Sequence, residues 1–206
     1  MSERSPEALQ AALAMLHRPQ LVRFAQRSSL PRGVTFLLEV AIGEPDALRE
    51  AQRTTGSQEA RLREAAGFFV EQVLLDRQAS SYRKLGSAQS ASSSELRRHM
   101  ALILRWLHPD VVEGSAAGQH FDRSAYVNLV TEAWETLKTD SRRAAYDAAQ
   151  EVQARRSRNG KASGGLNGAS MNRPGHGASR RRQLVLVKIR RDTIWRRLLS
   201  YLGSLK

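Results

Sequence analysis

The chain has 206 residues, 41% of them hydrophobic and 26% charged, a balance that suits one or two modest globular domains and excludes a wholly disordered protein. Its 33 lysines and arginines outnumber 20 acids, but the excess is local: residues 155–206 hold 14 basic residues and the one acid Asp192, while residues 1–154 hold 19 of each sign. The lack of cysteine excludes disulfide frameworks, thiolate zinc sites, thiol nucleophiles and iron–sulfur clusters together. No run of about 18 apolar residues occurs, and the start Met1-Ser-Glu-Arg-Ser-Pro lacks the basic-then-apolar order of a secretory signal, so a cytoplasmic protein is expected.

Ser5-Pro6-Glu7 has the order of a helix start: a capping hydroxyl, a proline whose missing N–H costs nothing, and an acid at the positive end of the dipole. Leu9, Ala12, Leu13 and Leu16 follow at helical spacing. A second helix is predicted through Val34, Phe36, Leu37, Leu38, Val40 and Ala41, entered at Pro31 and left at Gly43-Glu44-Pro45. Ser57 reads as the cap of a third, in which Leu62, Ala65, Phe69 and Val73 share one face. With no alternating strand pattern, residues 1–81 read as a small helical bundle. It holds no paired carboxylates and no phosphate-binding glycine loop, and its lone His17 reads as a capping or surface residue.

The stretch from Tyr82 to Asp147 carries more information. Ser92 to Glu95 fits a capping box, and Leu96, Met100, Ile103 and Leu107 form one stripe behind it. That helix must stop at His108-Pro109-Asp110, because proline disfavours helical geometry in the preceding residue and offers no donor. After a loop with Gly114, Gly118 and His120, a further helix shows Tyr126, Val127, Val130, Ala133, Trp134 and Leu137 on one face. Two stripes of matching length joined by one loop predict an antiparallel hairpin. Asp140-Ser141 then caps a short last helix, Arg142 to Asp147.

From Arg155 to Arg182 the composition shifts to Gly, Ser, Asn and Arg, which predicts a flexible basic linker over 151–182. Residues 183–206 read as a basic amphipathic helix capped by Asp192, with Ile194, Trp195, Leu198, Leu202 and Leu205 opposite Arg196 and Arg197. Arg190, Arg191, Trp195, Arg196 and Arg197 are the residues suited to an anionic surface, either lipid or nucleic acid. Packing against protein is the third reading of this tail.

A bare His-Pro-Asp triplet reads equally well as an ordinary turn, so its setting decides. Tyr82-Arg83-Lys84-Leu85-Gly86 opens the stretch, a capped amphipathic helix leads into the triplet, Glu132-Ala133-Trp134-Glu135-Thr136-Leu137 lies on the returning helix, and Arg142-Arg143-Ala144-Ala145-Tyr146-Asp147 closes it. Four motifs in this order resemble the J-domain family, the DnaJ-like co-chaperones, over residues 82–150. The resemblance implies an all-helical hairpin whose loop docks on a DnaK-type heat-shock chaperone and stimulates that partner's ATP hydrolysis. His108, Pro109 and Asp110 would then be contact residues and not catalytic ones, and the chain itself no enzyme. A proline-stiffened loop presents a carboxylate at low entropic cost for a charge-assisted bond to a partner arginine.

The helix before the loop usually carries a basic stripe in this family, which Arg97, Arg98 and Arg105 supply here in part. Met100, Ala101 and Leu102 stand where the family often has a tyrosine and two basic residues, and Val111 where a basic residue is common. Trp106 and Leu102, apolar beside the loop, suit either a partner face or packing against the N-terminal bundle. No zinc module, phenylalanine-bearing glycine linker or strand-rich C-terminal region accompanies the stretch, which resembles J-proteins that keep the J-domain alone. The competing reading is a nucleic-acid-binding protein acting through its arginine-rich tail. No metal or other cofactor is expected, since His108, Asp110 and His99 bring no further ligand with them, and no small-molecule substrate is expected.

Overall fold

The computed structural model describes residues 5–108 and 123–162. Among them the chain is all-α, with nine helices and no strand. Among the described residues, those up to 151 fold as one compact unit and 152–162 belong to a second. No helix of the described residues is long and apolar enough to cross a membrane.

α1 (Glu7–His17) begins where Ser5 Oγ accepts the Glu7 N–H at 3.5 Å, and it buries Ala8, Leu9, Ala12 and Met15. Leu13 and Leu16, expected on that face, are half-buried. α2 (Leu21–Arg27) buries no residue fully and leaves Phe24 72% exposed. α3 (Val34–Ala41) is central: Val34, Phe36, Leu37, Leu38, Val40 and Ala41 are all buried, and the helix touches α1, α4, α5 and α7. Each large side chain so covered contributes about 1.5–3 kcal/mol. Gly33 starts α3 at φ +83°, and a Cβ there would lie 1.8 Å from the Ser5 carbonyl oxygen, so two backbones cross at this point.

α4 (Pro45–Thr55) was not foreseen as a helix. Pro45 reads from sequence as the exit of the preceding helix, yet it occupies the first turn of the next one, where its missing N–H is harmless, and Gly56 at φ +67° ends the helix. α5 (Glu59–Phe69) starts after Gln58, with no side-chain cap. Ser57, the expected cap, belongs instead to the preceding corner, its N–H donating to Thr55 Oγ1 at 3.2 Å. α5 widens into a π-helical turn, Val70–Leu74, closed by Leu75 N–H to Val70 C=O at 2.9 Å. The extra residue in that turn lets Val70, Val73, Leu74 and Leu75 all reach the core.

α6 (Ser81–Lys84) is one short turn capped by Ser80. α7 (Ser93–Trp106) starts as the capping box predicts, Ser92 Oγ accepting the Glu95 N–H at 3.1 Å. It buries Leu96, His99, Met100, Ile103, Leu104 and Trp106. α8 (Arg123–Leu137) buries Val127, Val130, Ala133, Trp134 and Leu137, and it packs on both α6 and α7. The guanidinium of Arg143, just past α8, donates to Ala91 C=O at 3.1 Å and Ser93 Oγ at 3.2 Å, which puts the end of the returning helix at the start of the outgoing one.

The last helix, α9, runs Asp140–Ala162 and not merely Arg142 to Asp147. Thr139 Oγ1 caps it by accepting the Arg142 N–H at 3.4 Å. Alanine, arginine, glutamine and glutamate dominate the sequence that follows, and their helix propensity carries the helix into residues expected to be linker.

Candidate partner-docking site

The stretch 82–150 is tied together by the residues at its two ends. Tyr82 is buried, and its hydroxyl donates to Asp147 Oδ2 at 3.1 Å. Tyr146 Oη accepts the Ser81 N–H at 2.9 Å, and the two tyrosine rings meet edge to face with centroids 5.9 Å apart. Burial, reinforced by the Asp147 carboxylate, pushes the Tyr82 phenol up to about 12. The first and fourth motifs are thus one hydrogen-bonded cluster, which explains physically why they belong together. Between them, Glu135 accepts from Lys138 and Arg142, and the Lys138 bond is the main cause that holds its carboxyl below the ordinary value.

α7 delivers the chain to the triplet. Leu107 caps its end with its N–H on Ile103 C=O at 2.9 Å, and the His108 N–H reaches Arg105 C=O at 3.1 Å; His108 follows that cap and is half-buried. Pro109 and Asp110 lie outside the described residues, as do Val111, Gly114, Gly118 and His120. The tail residues Arg190, Arg191, Trp195, Arg196 and Arg197 lie outside them as well.

The three basic residues expected to face a partner are not equivalent. Arg97 is exposed, with no ion pair to another described residue. Arg98 Nη2 lies 2.7 Å from Glu39 Oε1 on α3, and Arg105 Nη1 lies 3.8 Å from Glu44 Oε2 at the α3–α4 corner. Trp106 is 4% exposed, and a Cβ added to Gly67 of α5 would come within 3.4 Å of its Cζ2. Of the two readings of that tryptophan, packing against the N-terminal helices is the one observed.

His99 sits in the apolar stripe of α7, at i+3 from Leu96, and is 2% exposed. Its Nδ1 lies 3.1 Å from Leu85 C=O, which can only accept, so Nδ1 carries the proton and Nε2 accepts from the Thr35 hydroxyl at 2.7 Å. Ser87 Oγ completes the set at 2.9 Å from Nδ1. Burial is the main cause that lowers the His99 pKa, which fits a neutral ring bridging α3 to the turn after α6. A cleft of about 750 Å³ opens beside it between residues 30–35 and the start of α7. Gly86 in that turn has φ +65°, and a Cβ there would meet Val34 Cγ1 at 2.9 Å. Arg83 reaches the other way, its guanidinium donating to the carbonyls of Ala25 and Ser28 around the end of α2.

From sequence His99 reads only as a candidate metal partner, and no pattern there points to Glu39, Glu44 or the Arg83 clamp. The position of His99 within the Leu96–Met100–Ile103 stripe marked it as buried. No local pattern pairs Glu39 with a residue 59 positions away.

No protein-family model and no solved structure matches the chain. Among curated proteins, 66 residues are 38% identical to the chaperone protein DnaJ of Exiguobacterium sibiricum, which is 32% of this chain and 16% of that relative. The chain thus covers a small part of that relative's length, and over about a third of its own length it is similar to a DnaJ chaperone.

Proposed function

We propose that the chain is a J-domain-like co-chaperone, which docks through its His108-Pro109-Asp110 loop and through Arg97, Arg98 and Arg105 of α7 on a DnaK-type chaperone and stimulates that partner's ATP hydrolysis. The observation that carries this reading is the 38% identity to DnaJ over 66 residues. Two features support it: a capped α7 ends two residues before His108, and the Tyr82–Asp147 bond joins the outer motifs into one frame. On this reading the chain makes and breaks no bonds itself. It offers a carboxylate and a cationic edge to a partner that does, and the J-domain is the part of DnaJ it keeps. The tail, with 14 basic residues against one acid, is assigned a localising role at an anionic surface.

The test is single-turnover ATP hydrolysis by a DnaK-type chaperone with and without the full chain. Stimulation is expected, and His108→Gln is expected to remove it while helical circular dichroism is unchanged. Stimulation that survives this substitution in a folded protein refutes the assignment.

A further inference from the structure

We infer that the N-terminal bundle competes, through Glu39 and Glu44, with an acidic partner surface for the basic edge of α7. The inference rests on the co-chaperone reading and adds a regulatory contact to it. Of the three arginines on that edge, two already face carboxylates of the same chain: Arg98 with Glu39 and Arg105 with Glu44. Glu39 is held in place, its side chain only 15% exposed and its helix centred in the core, whereas the arginines it and Glu44 engage remain about half open to water, at 48% and 58%.

That asymmetry gives the contact its character. Ion pairs this exposed are weak and open readily, so they do not lock the surface. They do reduce the positive potential that an approaching acidic surface meets, and long-range attraction sets association rates more than it sets final affinity. Arg97 is left as the one residue of the three without a carboxylate partner among the described residues. The edge is short of charge by sequence as well, since Ala101 and Leu102 intervene where further cations would have strengthened it. A chaperone must therefore displace Glu39 and Glu44 from two arginines to gain a full set of contacts. The bundle itself stays in place, because α3 and α7 share buried apolar side chains that no surface competitor reaches.

The experiment compares the full chain with the double variant Glu39→Gln, Glu44→Gln, which keeps shape and removes charge. A control, Asp46→Asn with Glu50→Gln, removes the same charge from α4, where those acids pair with Arg49 and Arg53 of their own helix. Two quantities are read: the association rate with a DnaK-type chaperone, and the rate at which phenylglyoxal labels Arg97, Arg98 and Arg105, resolved by peptide mass spectrometry. In the double variant, labelling of Arg98 and Arg105 is expected to rise about threefold with Arg97 unchanged. Association at about 50 mM salt is expected to rise about three- to tenfold, converging with the unaltered chain near about 0.5 M.

Unchanged labelling, or an association rate equal to that of the control, overturns the competition. If the unaltered chain stimulates the chaperone and the rates are still equal, competition alone falls. If neither protein stimulates it at all, the co-chaperone reading falls and competition with it, whatever the labelling shows. A circular dichroism spectrum and melting curve matching the unaltered chain exclude misfolding as the source of any gain.

Discussion

Replacing His99 by leucine tests both the bridge between α3 and the turn after α6 and the protonation state assigned to the ring. Leucine fills most of the volume but can neither accept from the Thr35 hydroxyl nor donate to Leu85 C=O, bonds of 2.7 and 3.1 Å. Ser87 keeps a bond to the Leu85 carbonyl, so the main partner lost is that of Thr35, whose half-buried hydroxyl water can reach from the adjacent cleft. Two lost bonds, partly offset by hydration of Thr35 and by better apolar burial, cost about 1–2 kcal/mol near pH 7.5. That cost should shrink on acidification. The unfolded chain takes up a proton on His99 as pH falls through its ordinary value, while the native ring, its pKa lowered chiefly by burial, resists. Stability from this group is therefore present above about pH 6.5 and lost progressively as pH falls below it. Glu95 and the backbone at Leu85 and Gly86 favour the charged ring and Arg98 opposes it, all secondary to burial. Urea unfolding followed by circular dichroism at pH 7.5, 6.5 and 5.5 measures the gap, and the other titrating groups, shared by both proteins, cancel in the difference. A gap that stays constant with pH, or one below about 0.5 kcal/mol throughout, refutes the neutral bridging histidine.

Gly86→Ala places a Cβ 2.9 Å from Val34 Cγ1 at a φ of +65°, and thermal unfolding should show a loss of about 1–3 kcal/mol. Tyr82→Phe removes the donor to Asp147 and should cost about 1–2 kcal/mol by urea unfolding. Ultraviolet titration should show one phenol ionising near 12 in the unaltered chain, and its disappearance in this variant. A chain ending at Ala162 should lose sedimentation with acidic liposomes or with nucleic acid while its chaperone stimulation persists. Trp195→Ser should weaken the lipid arm and leave the salt-dependent nucleic-acid arm nearly unchanged.

Periodicity recovered what depends on near neighbours. The Leu96–Met100–Ile103–Leu107 stripe, the Ser92 cap and the buried face of α8 are all local patterns, and each is where the residues put it, except that Tyr126 of α8 is only half-buried. α4 escaped although its signals were present, because Pro45 was assigned to the end of one helix when a proline at a first turn serves equally to begin another. α9 outran its expected end because a solvent-exposed helix needs only good formers and no apolar face. The pairing of α3 with α7 joins residues some 60 positions apart. Nothing in a single chain marks such partners, so the fate of Arg98, Arg105 and Trp106 was legible only once the helices were packed.

Trp106 lies against Gly67 and stands two residues before His108. The stretch 82–150 is therefore not a portable cassette, because the last turn of α7 is moulded onto a helix that lies outside it. Cutting the chain at Ser80 would strip α5 from the indole and α3 from His99, leaving a tryptophan face and an imidazole without its Thr35 partner on the surface of what remained. Grafting this segment onto another protein would then require grafting its bedplate too. By the same coupling, any ligand or substitution that shifts α5 moves the last turn of α7 and with it His108, whose N–H is held by Arg105 C=O at that turn.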